Sequence, residues 1–150
     1  MELSAKEKGN LTELQCITAF YQLGYQVSIP YGENSRYDFI ADVNGKLIRV
    51  QVKTSSLKRD TTGAISFATA STRVNATRNI THRYTKDEID YFATYWKNQC
   101  YLVPVEETAS REKTLRFLPP ANGQIKGVSF AKDYELEVQL AKINNNEEDE

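Results

Sequence analysis

Two runs of strand-forming residues, 37–43 and 46–54, constrain this chain more than any other part of its sequence. They are joined by Asn44-Gly45, the dipeptide that is preferred in a two-residue type I′ turn. Counting back from a two-residue loop places Asp38 opposite Gln51. The sequence therefore predicts an antiparallel hairpin whose register is known.

The polar residues of this hairpin fall on one face. Side chains alternate between the two faces of a strand, so Arg49, Gln51 and Lys53 share one face and the apolar residues between them share the other. Asp38 lies with the polar set, and opposed or diagonal partners are about 5 to 8 Å apart. Asp38, Gln51 and Lys53 are thus expected within reach of one small ion or phosphate. Taken alone, Lys53 would be read as a solvated strand lysine.

A carboxylate also falls on the apolar face of the first predicted helix. Apolar residues recur with helical spacing over residues 4–23. At 100° per residue, Glu13 points about 40° from Ile17 and about 20° from Phe20, near the middle of that face. A buried carboxylate needs a cation, a proton or hydrogen-bond donors. A divalent metal shared with Asp38 would serve, and so would an ion pair with a neighbouring Arg or Lys.

The remaining segments predict a mixed α/β (α+β) domain. We expect strands at 25–29, 64–68, 99–105 and 114–118, and helices at 85–96 and 131–143. The first of these helices would begin at Thr85 with Glu88 as its capping-box partner. Residues 71–84 have no convincing period and are interpreted as an irregular polar excursion, and the acidic residues 144–150 as a disordered tail. The 150 residues suit a single domain, with its motifs in 1–54.

The composition excludes several classes of protein. The cysteines Cys16 and Cys100 are far apart with no Cys or His beside them, which excludes a zinc framework and a disulfide scaffold. A single histidine, His82, excludes sites that need several. Neither a signal-peptide pattern nor a run of about 18 apolar residues is present. We therefore expect a cytoplasmic protein with no membrane partner.

Basic charge is concentrated in one part of the chain. The totals of 19 basic and 20 acidic residues are nearly balanced, but residues 46–86 hold nine Lys or Arg against the single acid Asp60. Within this region, 72–83 carries residue types that bind phosphates and read base edges, although a solvated polar loop is the plain alternative. Arg49 can contact a phosphate or pair with Asp42. The candidate DNA-binding residues are Arg49, Lys58, Arg59, Arg73, Asn75, Arg78, Asn79, His82 and Arg83.

These motifs resemble the PD-(D/E)xK nuclease superfamily, in particular its Holliday-junction resolvase-like and intron-encoded homing endonuclease branch. The resemblance covers residues 8–54. It consists of Lys8-Gly9 and Glu13, then Tyr37-Asp38-Phe39-Ile40, then Gln51-Val52-Lys53-Thr54. The rest of the chain resembles the compact homing endonucleases of cyanobacterial group I introns. One departure is Gln51, where the family usually has Asp or Glu, because an amide oxygen binds a hard cation more weakly than a carboxylate does.

The resemblance implies a restriction-endonuclease-like core, a mixed sheet flanked by helices, that hydrolyses phosphodiester bonds of double-stranded DNA with Mg²⁺. It implies that Asp38, Glu13, the Gln51 amide oxygen and the Val52 carbonyl hold Mg²⁺, while Lys53 orients or deprotonates the attacking water. One site per chain cuts one strand, so we expect a homo-oligomer, either a dimer or a tetramer. A homing endonuclease is the leading hypothesis. A Holliday-junction resolvase or repair nuclease and a non-catalytic DNA-binding module are the alternatives.

Overall fold

The computed structural model describes residues 2–58, 63–74, 79–108 and 111–148. In these residues the strands, in chain order, are β1 (Gln26–Ser28), β2 (Phe39–Val43), β3 (Lys46–Val52), β4 (Ser56–Leu57), β5 (Ala64–Ala68), β6 (Ala70–Val74), β7 (Asn79–Arg83), β8 (Tyr91–Trp96), β9 (Gln99–Pro104) and β10 (Glu112–Arg116). The α-helices are α1 (Ala5–Gln22) and α2 (Leu136–Glu148), and 3₁₀ turns lie at Val105–Glu107 and Ala131–Tyr134.

A five-stranded mixed sheet in the order β1-β2-β3-β8-β9 forms the centre of the fold. Its pairs are antiparallel except β3 with β8, which run parallel. One face packs on α1 and α2 through a core that includes Phe20, Val50 and Leu140. The other face packs on β5 and β10 through a core that includes Phe92 and Leu115. The predicted mixed sheet with flanking helices is confirmed.

The hairpin of β2 and β3 has the predicted turn and register. Asn44 and Gly45 both have positive φ, 54° and 95°, as a type I′ turn requires. The ladder runs from Val43 opposite Lys46 to Phe39 opposite Val50. Alternate residues of both strands are buried, which confirms the predicted division into an apolar and a polar face.

Helix α1 begins and ends close to the predicted bounds. Ser4 is its N-cap: the Ser4 hydroxyl accepts from the Glu7 N–H at 3.2 Å, and the Ser4 N–H donates to Glu7 Oε1 at 3.0 Å. This capping box satisfies two N–H groups that the helix itself cannot. Cys16 is fully buried against the sheet, and Cys100 is 3% exposed, so both thiols belong to the core.

The helix predicted at 85–96 is wrong. The Thr85–Glu88 hydrogen bonds form, but they close one turn, and residues Tyr91–Trp96 then form β8. The chain leaves the turn where the Asp90 N–H donates to the Arg49 carbonyl at 2.9 Å, beside β3. A capping box specifies how a helix starts. Whether it continues depends on where the following apolar residues find burial, and here the sheet provides it.

The lack of period in 71–84 predicted an irregular segment, and for the residues that the structure describes this prediction is wrong. The segment contains most of a second antiparallel hairpin, in which β6 pairs with β7 from Ala70 opposite Arg83 to Val74 opposite Asn79. Strands β6 and β7 form a two-stranded sheet that is separate from the central one. Their residues therefore do not show the alternation of apolar and polar residues by which a half-buried strand is recognised.

The C-terminal region also differs from its prediction. The helix expected at 131–143 is interrupted at Glu135, whose φ and ψ of −57° and 142° are extended, so a 3₁₀ turn precedes α2. The tail expected to be disordered over 144–150 is helical to Glu148, and Asn144 Oδ1 accepts from Asn44 Nδ2 at 2.7 Å. The described part of the chain contains no helix of the length and apolarity needed to span a membrane.

Candidate active site

The candidate site lies at the open end of the β2–β3 hairpin, away from its turn. Asp38 stands one residue before β2, and its N–H donates to the Val50 carbonyl at 2.8 Å. Its carboxylate Oδ2 accepts the Val52 N–H at 2.7 Å. The regular ladder ends at Phe39 and Val50, so the Asp38 side chain continues the pairing in place of the backbone. One carboxylate oxygen is thereby fixed, and Oδ1 accepts no hydrogen bond from any residue that the structure describes.

The Asp38 carboxyl lies between an acidic and a basic neighbour. Burial raises its pKa, while the Val52 N–H and the positive charge of Lys53 lower it, with burial the larger effect. The negative charge of Asp38 in turn raises the pKa of Glu13. Asp38 is therefore close enough to interact electrostatically with Glu13 on α1 and with Lys53 at the end of β3.

Glu13 is half-buried on α1, and burial is the larger cause of its raised pKa. Within the described residues its carboxylate has no hydrogen bond and no ion pair with an Arg or Lys. The ion pair that was the alternative interpretation of Glu13 is therefore not formed by any described cation. A partly desolvated carboxylate beside a second one disfavours the charged form of both, unless a cation is added.

Gln51 lies in β3, and Lys53 directly follows the last residue of that strand, two positions further along the same face. Gln51 is half-buried, and its amide makes no hydrogen bond with any described residue. The Lys53 N–H donates to the Ala93 carbonyl at 2.9 Å, which ties this residue to β8. Its ammonium Nζ lies 4.9 Å from the centroid of the Tyr84 ring.

A contact between two threonines fixes α1 against the site. Thr12 Oγ1 donates to the Lys8 carbonyl at 2.8 Å and lies 3.4 Å from Thr54 Oγ1. Thr12 precedes Glu13 and Thr54 follows Lys53, so this contact sets the distance between the helix and the strand that carry those residues. Thr54 belongs to a motif of the sequence, but that motif alone predicted no role for its side chain.

The donor set fits a hard divalent cation. Two carboxylates and an amide oxygen are ligands of the kind that Mg²⁺ takes, and the raised pKa of both acids is the expected state of such a pair without a cation. In the described residues no three His, Cys, Asp or Glu side chains form a group that could hold a metal. Gln51 contributes an amide oxygen at the position where a third acid was considered.

Arg49 has protein partners. Its Nε lies 3.1 Å from Asp90 Oδ2, and its Nη1 and Nη2 donate to the carbonyls of Asp87 and Lys86 at 2.7 and 2.8 Å. Asp42, the partner considered from sequence, instead accepts the Gly45 N–H at 2.7 Å. Arg49 therefore holds the turn that leads into β8, and its contact with DNA stays a prediction.

The other predicted DNA-binding residues that the structure describes lie in two places, directly after β4 and in the hairpin of β6 and β7. Lys58 pairs with Glu112 at 2.6 Å, and Arg83 Nη2 donates to the Thr108 carbonyl at 3.0 Å. His82 is 58% exposed, and its Nε2 lies 3.2 Å from Glu88 Oε1. Arg73 and Asn79 lie in the paired strands β6 and β7. The remaining three, Arg59, Asn75 and Arg78, lie outside the described residues.

Beside Lys53 is a cluster that sequence analysis missed. The Arg36 guanidinium carbon lies 3.7 Å from the centroid of the Tyr84 ring, and Arg36 Nε donates to Glu88 Oε2 at 2.6 Å. Arg36 Nη1 also donates to Ser71 Oγ at 3.2 Å. These residues come from separate loops and from β6, so no local pattern groups them.

Comparison with known proteins found a family model and a solved structure that this chain resembles. The family model described as PD-(D/E)XK endonuclease matches residues 3–137, a range that contains every residue of the candidate site. No curated protein matches the chain. Among solved structures, the chain is similar to a bacterial homing endonuclease, I-Ssp6803I, at 25% sequence identity and a TM-score of 0.79, with 99% of each chain covered.

Proposed function

Because the chain belongs to the PD-(D/E)XK endonuclease family, we propose that it cuts double-stranded DNA at specific sites in a Mg²⁺-dependent reaction, as an intron homing endonuclease does. The observation that carries this proposal is Asp38, held by the Val52 N–H between the charges of Glu13 and Lys53. The similarity to a homing endonuclease over the whole chain supports the choice of biological role.

In this proposal Asp38, Glu13, the Gln51 amide oxygen and the Val52 carbonyl hold Mg²⁺. When bound, the ion would supply activation of the attacking water and stabilisation of charge on the phosphate. Asp38 presents Oδ1, since its Oδ2 accepts from Val52. Gln51 contributes an oxygen without a formal charge, so the set should bind the ion more weakly than one with a third carboxylate.

Lys53, as the ammonium, supplies positive charge where negative charge develops on the phosphate and orients the attacking water; only as the neutral amine would it instead deprotonate that water. It forms no ion pair within the described residues, so no carboxylate in direct contact cancels that charge. Its N–H tie to Ala93 fixes the backbone from which the side chain extends.

DNA recognition is assigned to the hairpin of β6 and β7. This hairpin carries Arg73, Asn79, His82 and Arg83, and its connection contains Asn75 and Arg78. Such side chains bind phosphates and read base edges. A single site cuts one strand, so double-strand cutting would be performed by a homo-oligomer, a dimer or a tetramer.

Gln51 favours one further candidate, a DNA-binding module that has lost catalysis. With two acids and an amide, the site could hold too little metal to cut, while the basic surface still binds DNA. This candidate predicts tight binding that Mg²⁺ leaves unchanged, and no cleavage products.

The test is incubation of the purified protein with a mixed duplex library and Mg²⁺, followed by sequencing of the ends produced. Site-specific cleavage predicts discrete ends in the presence of Mg²⁺ and none with EDTA or with Lys53→Ala. Lys46→Ala is the matched control, because it removes a lysine from the same strand at the opposite end of the hairpin.

Two other results would overturn the proposal, and a third would overturn only the role of Lys53. Intact DNA despite measurable binding would favour the non-catalytic module. Cleavage of four-way junctions of any sequence, with duplexes left intact, would favour a resolvase. Ends that persist in Lys53→Ala would exclude Lys53 from the reaction.

A further inference from the structure

The ring of Tyr84 contacts two cations. The Arg36 guanidinium carbon lies 3.7 Å from its centroid and Lys53 Nζ lies 4.9 Å from it. Both distances are within the range of about 6 Å over which a cation is attracted to the electron-rich face of an aromatic ring. Tyr84 is therefore the side chain against which the Lys53 ammonium rests.

The ring itself is held in place from several directions. Its edge packs on Phe92 of the second core, with centroids 5.3 Å apart and planes at 83°. Arg36 is fixed to Glu88, and the same carboxylate accepts the N–H of Thr85, the residue next to Tyr84, at 3.2 Å. The ring is thus a fixed surface, and its position is set by residues outside the metal-binding set.

An aromatic partner suits a lysine that must keep its charge. An Asp or Glu in contact with Lys53 would hold it, but would also cancel the positive charge and occupy an N–H donor. The face of a ring attracts the ammonium while leaving its charge and its donors available for a water and a phosphate. Arg36, the other cation over this ring, has its charge paired with Glu88 at 2.6 Å.

We propose that Tyr84 is a positioning residue for Lys53: its ring, fixed by Arg36 and Phe92, holds the ammonium in the place from which it acts. This inference rests on the proposed function, because it concerns the same reaction. It adds a residue from outside the hairpin and α1, the two elements that carry the family's motifs.

Two substitutions of Tyr84 distinguish an effect of the aromatic face from an effect of side-chain volume. Tyr84→Phe keeps the face and Tyr84→Leu removes it while retaining an apolar group against Phe92. We expect Tyr84→Leu to lower the single-turnover cleavage rate at saturating DNA on the order of tenfold, with the DNA dissociation constant unchanged, and Tyr84→Phe to retain the rate. Tyr95→Leu, a half-buried tyrosine of β8 outside the site, controls for a general loss of aromatic packing.

A second measurement reads the contact directly. Ring currents shift protons above an aromatic face upfield, so the side-chain methylene signals of Lys53 nearest the ammonium should be displaced in the wild type. They should remain displaced in Tyr84→Phe and return to ordinary lysine positions in Tyr84→Leu. The signals are assigned by their loss in Lys53→Arg. A lost contact predicts this change, whereas a general decrease in stability does not.

The outcomes distinguish this inference from the proposed function. If the wild type cuts DNA and Tyr84→Leu cuts as fast, the role of Tyr84 is wrong while the proposed function stands. If Tyr84→Phe loses as much rate as Tyr84→Leu, the ring face is not what acts, and the inference is again overturned. If the wild type does not cut at all, the proposed function fails, and the Lys53 signals alone decide whether Tyr84 holds the ammonium.

Discussion

Each end of the β2–β3 hairpin carries an aspartate and an amide side chain, but the hydrogen bonds of these side chains differ between the two ends. At the turn, Asp42 accepts the Gly45 N–H and Asn44 donates to Asn144, both at 2.7 Å. At the open end, Asp38 keeps one carboxylate oxygen free of described hydrogen-bond donors, and Gln51 has no described hydrogen-bond partner. Two aspartates four residues apart thus have different hydrogen-bond environments.

This contrast shows where stability and function separate. The polar groups of the turn are satisfied by the chain, so they stabilise the hairpin. Those of the open end are partly desolvated, and burial raises the pKa of Asp38 and of Glu13, so the charged form of either carboxyl destabilises the folded chain. Such groups are expected where a ligand completes the structure.

The largest expected effect on cleavage comes from comparing two single substitutions, in which either Asp38 or Asp42 is replaced by asparagine. Asp38→Asn is expected to lower the cleavage rate roughly 10³-fold or more, because it removes the charge of the central ligand. Asp42→Asn should leave cleavage unchanged, since its amide oxygen can still accept from Gly45. Single-turnover rates at saturating DNA test both. Equal losses in the two variants would show that hairpin stability, rather than ligand charge, limits the reaction.

A smaller effect is expected from restoring a third acid at the open end. Gln51→Glu should lower the Mg²⁺ concentration for half-maximal cleavage roughly tenfold, because an added carboxylate strengthens binding of a hard cation. A Mg²⁺ titration of the cleavage rate measures this shift. Gln22→Glu adds the same charge at an exposed position of α1 and should leave the titration unchanged. A Gln51→Glu titration identical to that of the wild type would exclude Gln51 from the ligand set.

The smallest effect concerns stability without metal. The folded pKa of Glu13 lies above its ordinary value of 4.5, so its stabilising contribution is fully present below the unfolded pKa and is lost as pH rises through the folded pKa. Metal-free Glu13→Gln should therefore gain stability over the wild type as pH rises from about 4.5 to neutral. We expect less than about 1 kcal/mol, since solvent screens a partly exposed carboxylate.

Thermal unfolding over this pH range checks the sign, and Glu7 provides a control on the same helix. Its hydrogen bonds with Ser4 lower the pKa of Glu7, so Glu7→Gln should lose stability at neutral pH and not at acidic pH. If both variants shift in the same direction, burial of Glu13 is not the cause. Added Mg²⁺ should stabilise the wild type more than Glu13→Gln, because a ligand of the folded state stabilises in proportion to its binding.

The hairpin and α1 could be predicted from the sequence because their signals are local. An Asn-Gly dipeptide selects its turn, the turn sets the register, and the alternation of residues sets the faces, so the proximity of Asp38 and Lys53 could be counted from the sequence. The position of Glu13 on an apolar helix face likewise predicted its burial. Metal ligation by these residues and the roles assigned to them remain predictions.

For segments whose local signals were ambiguous or misleading, the secondary structure and the packing partners depended on the tertiary structure. Residues 85–96 carry a helix start, yet Tyr91–Trp96 became β8 because the open edge of β3 could pair with them and both of their faces could be buried. The same holds for Tyr84, which contacts Lys53 and Arg36 from distant segments of the chain. Local patterns specify turns, caps and faces, whereas the choice between competing partners depends on the burial and pairing that the whole chain offers.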